Sequence, residues 1–322
     1  MTRTDAECSM QNAECRMKKR FFHSAFCILH AAFLLTLGCN SFSLHFLSRE
    51  KNEKNAAEPR VPVPVPPSRY PFRIAPYVFL SDFEIDRDKP LFQELAKLRD
   101  QVYGELRLTP SQATVQVYLF ENKERYDEYM RAVYPKLPAR RAFFIQEQRT
   151  LGGADDLMVY TSWGERIQQD LRHELTHALL HSVIRDVPLW LDEGLAEYFE
   201  LPPADRGINA SHVETLRRDL GVTFQPDLER LERIKDVKEM KGPEYREAWL
   251  WTHLMMQSRP ETKAVLLSYL QELRTKGNAG PLAPRLYAVY PNVNEEFKKH
   301  LNRLELPINA RSNPPFVPSV SR

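Results

Sequence analysis

Residues 171–200 read LRHELTHALLHSVIRDVPLWLDEGLAEYFE, and this stretch decides both the fold and the chemistry. Two histidines, His173 and His177, stand four apart, with Glu174 beside the first. No proline or glycine interrupts 166–184, and apolar residues recur there at helical spacing, so one helix is predicted. Four residues advance a helix by little more than one turn. Both imidazoles therefore leave the same face and can converge on one ion. Glu174 is rotated about 100° from His173, which takes it out of the ligand set but within reach of a water on the ion's open side. Leu171, Leu175, Ala178 and Leu179 form an apolar arc that packs the helix on the core, with a cleft on its other side. The plain alternative is an inert helix carrying two surface histidines.

The segment after this helix favours the metal. Pro188 ends the connection, and 189–200 begin a second helix. Glu193 comes after fifteen intervening residues, enough for the helix end, a loop and a return. A catalytic zinc takes three protein ligands and keeps one position open, and Glu193 can be the third. Glu197, four residues on, shares its face and can accept the outer N–H of a ligand histidine. Gly194 allows the first helix to approach closely. The alternative is a solvated acidic face. Trp190, Leu191, Leu195, Ala196 and Phe199 argue against it, because they bury the carboxylates partly, and buried carboxylates need a counter-charge.

HELTH followed by PLWLDEGLAEYFE resembles the gluzincin metallopeptidases, and within them the bacterial peptidase-MA-like families, whose pattern is HExxH followed by W-L-x-E-G-x-A-x-Y. The match is tight over about thirty residues, and the strands before it fit loosely the small zincin sheet. The resemblance implies that His173, His177 and Glu193 bind Zn2+, that Glu174 is the general base, and that Glu197 supports a ligand histidine. The gap between the second histidine and the third ligand is shorter than in thermolysin or the zinc aminopeptidases, which leaves Glu197 as a substitute third ligand.

The implied reaction is hydrolysis of a peptide bond. Zinc lowers the pKa of its water to about 7 and polarises the scissile carbonyl, and Glu174 carries the proton to the leaving amine. The oxyanion needs a donor. Gluzincins take it from a tyrosine or histidine of the second lobe, which makes Tyr245 and His253 candidates. Tyr245 is preferred, and His253 reads better as core. Substrate backbone in this clan pairs with an exposed edge strand, for which 152–163 (GGADDLMVYTSW) is the expected segment. His181 reads as a helix-end histidine near the negative end of the dipole rather than as a fourth ligand.

The rest of the chain gives the context. Its 322 residues carry a net charge of +2, with 45 Lys and Arg against 43 Asp and Glu, so nothing points to a nucleic-acid partner. All four cysteines precede residue 40, so a metal site in the body must use histidine and carboxylate. RMKKR (16–20), an apolar run over 21–38 and TLGC (36–39) have the layout of a secretory signal. The ending resembles a bacterial lipobox, which implies lipidation at Cys39 and an extracytoplasmic, membrane-anchored protein. A retained transmembrane anchor is the alternative, and Met17 makes a more usual start.

The expected organisation is a signal segment over 1–39, a Pro-rich tether over 40–70, a zincin-like catalytic lobe over 71–201, a helical lobe over 202–305 and a tail over 306–322. Strands are expected at 77–85, 114–122, 139–148 and 157–163, with helices at 89–106 and 121–135. The segments HVETLRRDL, LERLERIKDVKEM, YREAWLWTHLMMQ, ETKAVLLSYLQELRTK and EEFKKHLNRL all read as helices. The fold class is α+β, a small mixed sheet with an active-site helix followed by a helical lobe. The expected function is a zinc peptidase acting on a peptide or protein. Its rival is a non-catalytic binding or scaffold protein on a peptidase fold.

Overall fold

Alternating side chains along two short parallel strands build the centre of the sheet. Val115, Val117 and Leu119 of β3 (Val115–Phe120) are buried on one face, as are Tyr77 and Phe79 of β2 (Tyr77–Ser81). The computed structural model describes residues 64–149 and 155–306. The signal segment with Cys39, most of the tether, the Gly152-Gly153 turn and the tail after 306 lie outside the described residues. The remaining strands are β1 (Tyr70–Ile74), β4 (Ala142–Glu147) and β5 (Asp156–Ser162). The order is β1-β2-β3-β5-β4, with β2, β3 and β5 parallel and the outer strands antiparallel to their neighbours.

Two sequence expectations change here. The segment 152–163 supplies β5, which is paired on both sides. The edges of the sheet are β1 and β4, and β4 is the edge on this side because the chain returns from β4 to insert β5 beside β3. The strand expected over 77–85 stops at Ser81, whose hydroxyl donates to the Phe83 carbonyl and accepts from its amide. β1 is not among the expected strands and starts at the last tether residue. Phe72 anchors it by stacking on Phe79 with ring centroids 4.8 Å apart.

Helices cover both faces of the sheet. α1 (Pro90–Leu106) and α3 (Ile167–His181) pack on the Val117 face, while α2 (Lys123–Val133) lays Tyr126, Tyr129 and Met130 against Phe120 and Tyr160 on the other. α4 (Leu189–Phe199) follows, buried nearly all round. Then come α5 (Ala210–Asp219), α6 (Leu228–Arg233), α7 (Gly242–Gln257), α8 (Pro260–Lys276), α9 (Ala283–Val289) and α10 (Val293–Arg303). The architecture is α+β with a small mixed sheet and a helical C-terminal region. One hydrophobic cluster runs from Phe72 of β1 to residues around α10, so sheet and helices share a core.

α4 crosses α7 at Gly194. A Cβ at this position would overlap Thr252 Oγ1 and lie 2.6 Å from the Ala248 carbonyl oxygen. The close approach that Gly194 permits is therefore to α7, not to α3. Arg172 fixes α3 to α4. Its buried guanidinium donates to the Phe199 carbonyl (3.0 Å), the Leu201 carbonyl (2.8 Å) and Gln101 Oε1 (2.9 Å). Carbonyls at a helix C-terminus lack intrahelical partners, and a cation there also meets the negative end of the dipole.

Candidate metal centre

α3 presents His173 and His177 one turn apart, and α4 brings Glu193 up to them. His173 Nε2 and His177 Nε2 are 3.3 Å apart. Glu193 Oε2 is 3.5 Å from the first and 3.6 Å from the second. The three atoms form a compact triangle, a possible metal-binding trio. Tetrahedral zinc with bonds of about 2.0–2.2 Å sets its ligand atoms about 3.4 Å apart, so the triangle has the size of one face of that tetrahedron.

Carboxylates beside the outer ring nitrogens favour, in the neutral rings, the tautomers whose inner nitrogens carry lone pairs. His173 Nδ1 lies 3.0 Å from Glu200 Oε2, and His177 Nδ1 lies 3.0 Å from Asp192 Oδ2. A carboxylate can only accept, so each Nδ1 carries the proton and each Nε2 is an acceptor in the neutral ring. Two imidazole acceptors and a buried carboxylate oxygen without a hydrogen-bond donor thus converge on one point. Only a cation there, a metal ion or added protons, removes the desolvation cost. The donor set of two histidines and one carboxylate is one that catalytic zinc uses.

Without an ion, protons take that place. Burial opposes charging His177, but Asp192 and Glu193 outweigh it and raise its pKa to about 10. Burial likewise opposes charge on His173, while Glu193 and Glu200 hold its pKa well above the usual value. Burial would raise Glu193, yet the two histidines hold it below the ordinary carboxylate range.

The structure corrects the role expected of Glu197. Its Oε2 lies 2.8 Å from His212 Nε2, on α5, and His173 and His177 meet Glu200 and Asp192 instead. Glu197 is also absent from the ligand trio. The rotation of α4 aims the 197 side chain at α5, while Glu200, one residue past the helix, curls back to α3. Asp192 Oδ2 also meets His181 Nε2 at 3.1 Å, so His181 supports the site from outside the ligand set. His253 is a core residue, 2.8 Å from His300 Nε2 through its Nδ1.

Glu174 lines the cleft that reaches the trio, together with His177 and Glu193. Burial pushes its carboxyl above the ordinary value, against the pull of His173 and His177. Among the described residues it accepts no hydrogen bond, so its oxygens are available to a water. Leu137, Pro138, Phe143, Ile145, Leu189 and Val237 form apolar walls.

Tyr245, from the first turn of α7, does reach this region, and its hydroxyl accepts from Arg140 Nη2 at 2.6 Å. Arg140 Nη1 lies 3.9 Å from Glu193 Oε1. Sequence reasoning missed Arg140, Asp192, Glu200 and His212. Asp192 alone gave a local signal, as an acid adjoining Glu193 with His181 one turn beyond His177.

Comparison with known families places this region. The matching family model covers residues 169–279. It is described as "Protein of unknown function (DUF1570)". The matched segment runs from α3 through α8 and so contains the trio, Glu174 and Tyr245. No curated protein matches the chain.

Proposed function

We propose that this protein is a zinc-dependent peptidase of the gluzincin type. The observation that carries the reading is the triangle of His173 Nε2, His177 Nε2 and Glu193 Oε2, with edges of 3.3–3.6 Å, beside an unengaged Glu174. Zinc bound there would act as a Lewis acid and lower the pKa of a coordinated water to about 7. Glu174 accepts the proton of the attacking water and delivers it to the leaving amine. Its burial makes it a stronger base than a solvated glutamate, and a structural site has no need of a base at that place. Glu200 and Asp192 keep the imidazole protons on Nδ1, so the inner nitrogens stay available as ligands. The free edge of β4 and the apolar walls offer a substrate main-chain pairing and side-chain contact.

The N-terminal pattern supports secretion and tethering through Cys39, which puts the reaction outside the cytoplasm. Among the described residues no helix is long and apolar enough to cross a membrane.

The test is a paired substitution in the full chain. Glu174→Gln should keep zinc at unit stoichiometry and lose cleavage of a peptide library, whereas His177→Ala should lose both. Zinc at unit stoichiometry in the wild type with no peptide hydrolysed would favour the binding-protein reading. Absence of zinc would remove both.

A further inference from the structure

We propose that Arg140 is the oxyanion-stabilising residue of this site, with Tyr245 as its positioning partner. This rests on the peptidase reading above. Attack of water on a peptide carbonyl moves the C=O π pair onto oxygen, while Glu174 takes the water's proton. The C–N bond then breaks and the nitrogen leaves with that proton. Negative charge is greatest on the carbonyl oxygen, and a fixed donor beside it lowers the barrier more than any contact with the neutral substrate.

Arg140 is the one arginine or lysine among the described residues lining the cleft that contains Glu174, His177 and Glu193. Its Nη1 stands 3.9 Å from the carboxylate of Glu193, so its charge lies at the metal trio itself. Its other terminal nitrogen donates to Tyr245 at 2.6 Å. The side chain is still a third exposed, so substrate can reach it. Phe143 and Tyr245 flank the guanidinium, each ring centroid 5.9 Å from Cζ. The contact with Tyr245 uses one of five N–H groups, and the 3.9 Å separation from Glu193 is too long for a hydrogen bond. The geometry thus leaves donors for a new anion. A tyrosine O–H alone, neutral and already accepting from the arginine, supplies less charge. Arg140 sits directly ahead of the edge strand β4, where a paired substrate chain would pass.

The experiment compares wild type, Arg140→Gln, Arg140→Lys, Tyr245→Phe and Glu174→Gln as zinc-loaded full chains. Zinc content is checked in each. Where the wild type cleaves a library peptide, Arg140→Gln should lower kcat by about 10²–10³-fold with KM little changed. Arg140→Lys should recover part of the loss, because charge returns without the fork. Tyr245→Phe should lose less than Arg140→Gln. An independent readout is binding of an N-phosphoryl dipeptide, whose tetrahedral anion mimics the oxyanion, to the zinc-loaded protein. Arg140→Gln should weaken it by about 10²-fold while leaving the affinity for the unphosphorylated dipeptide unchanged.

Unchanged kcat and unchanged phosphoryl-dipeptide binding in Arg140→Gln would overturn the proposal while leaving the peptidase reading intact. So would a loss confined to KM for peptides with a free C-terminus, which would make Arg140 a carboxylate subsite. A wild type without hydrolysis would instead count against the peptidase reading, and anion binding would then decide the arginine's role.

Discussion

Asp192 and His177 are joined through Oδ2 and Nδ1 at 3.0 Å, and the same oxygen serves His181 at 3.1 Å. One carboxylate oxygen therefore orients His177 and is itself held from behind by His181. Asp192→Asn places a neutral amide there and should weaken zinc binding by about 10–100-fold. Glu200→Gln should act similarly through His173. Glu197→Gln, which faces His212, should stay within a few-fold of wild type. Competition with a chromophoric chelator measures all three, and an equal loss in Glu197→Gln would refute the assignment of partners.

Zinc uptake should release protons. In the metal-free protein His177 titrates at about 10, so near pH 7 both inner nitrogens compete for protons that the ion must displace. Calorimetry in buffers of different ionisation enthalpy should detect net proton release at pH 7, fading as pH approaches 10. The same shift sets a stability trend. The unfolded imidazole titrates near 6.5, so this stabilisation is complete below that pH and is lost as pH rises through about 10. The melting temperature of chelator-treated protein should fall between pH 7 and 10, and that of the zinc-loaded protein should fall less.

Gly194→Ala should destabilise by at least about 1–3 kcal/mol, since α7 backbone stands where the methyl group must go. Trimming Thr252 to alanine in the same chain should not restore stability, because the Ala248 carbonyl remains. Urea midpoints of the single and double variants decide this, and a neutral Gly194→Ala would contradict the crossing.

The buried pair His253 and His300 has the opposite pH signature. Burial lowers both, to about 3 and about 4, with His300 and Arg303 respectively adding to the effect. Neutral imidazoles in the fold and an unfolded value of 6.5 mean stability that is present above about pH 6.5 and lost as pH falls towards 4. At pH 4.5, two units below the unfolded value, the loss is on the order of 2.5 kcal/mol per imidazole. Urea unfolding at pH 7 and 4.5, with chelator present, should show a smaller acid loss in His300→Gln than in wild type. An equal loss would place the acid sensitivity elsewhere.

The trio is legible in the sequence because its information is local. His173 and His177 need only helix periodicity to share a face, and Glu193 needs only a short return. Which carboxylate supports which histidine is not legible. That depends on the rotation of α4 and on α5 bringing His212 to Glu197, neither of which the 171–200 pattern contains. Arg140 lies 33 residues before His173 and reaches the site only through the sheet order. The same cause hides the true edge strand: hydrophobicity marks β4 and β5 alike, and only pairing with β3 decides which one is inside. The small residue at Gly194 signals a close approach but does not name the helix that makes it.

Arg172 adjoins His173 and grips the Phe199 carbonyl at the end of α4 and the Leu201 carbonyl two residues on, so hydrogen bonds outside the trio set how α3 stands against α4. Such a scaffold acts as a gauge. Calcium, with bonds of about 2.3–2.6 Å and six to eight oxygen donors, finds too few oxygens and too tight a triangle. A frame held by hydrogen bonds outside the trio should survive chelation, so emptying and refilling the site should be an exchange reaction and not a refolding one.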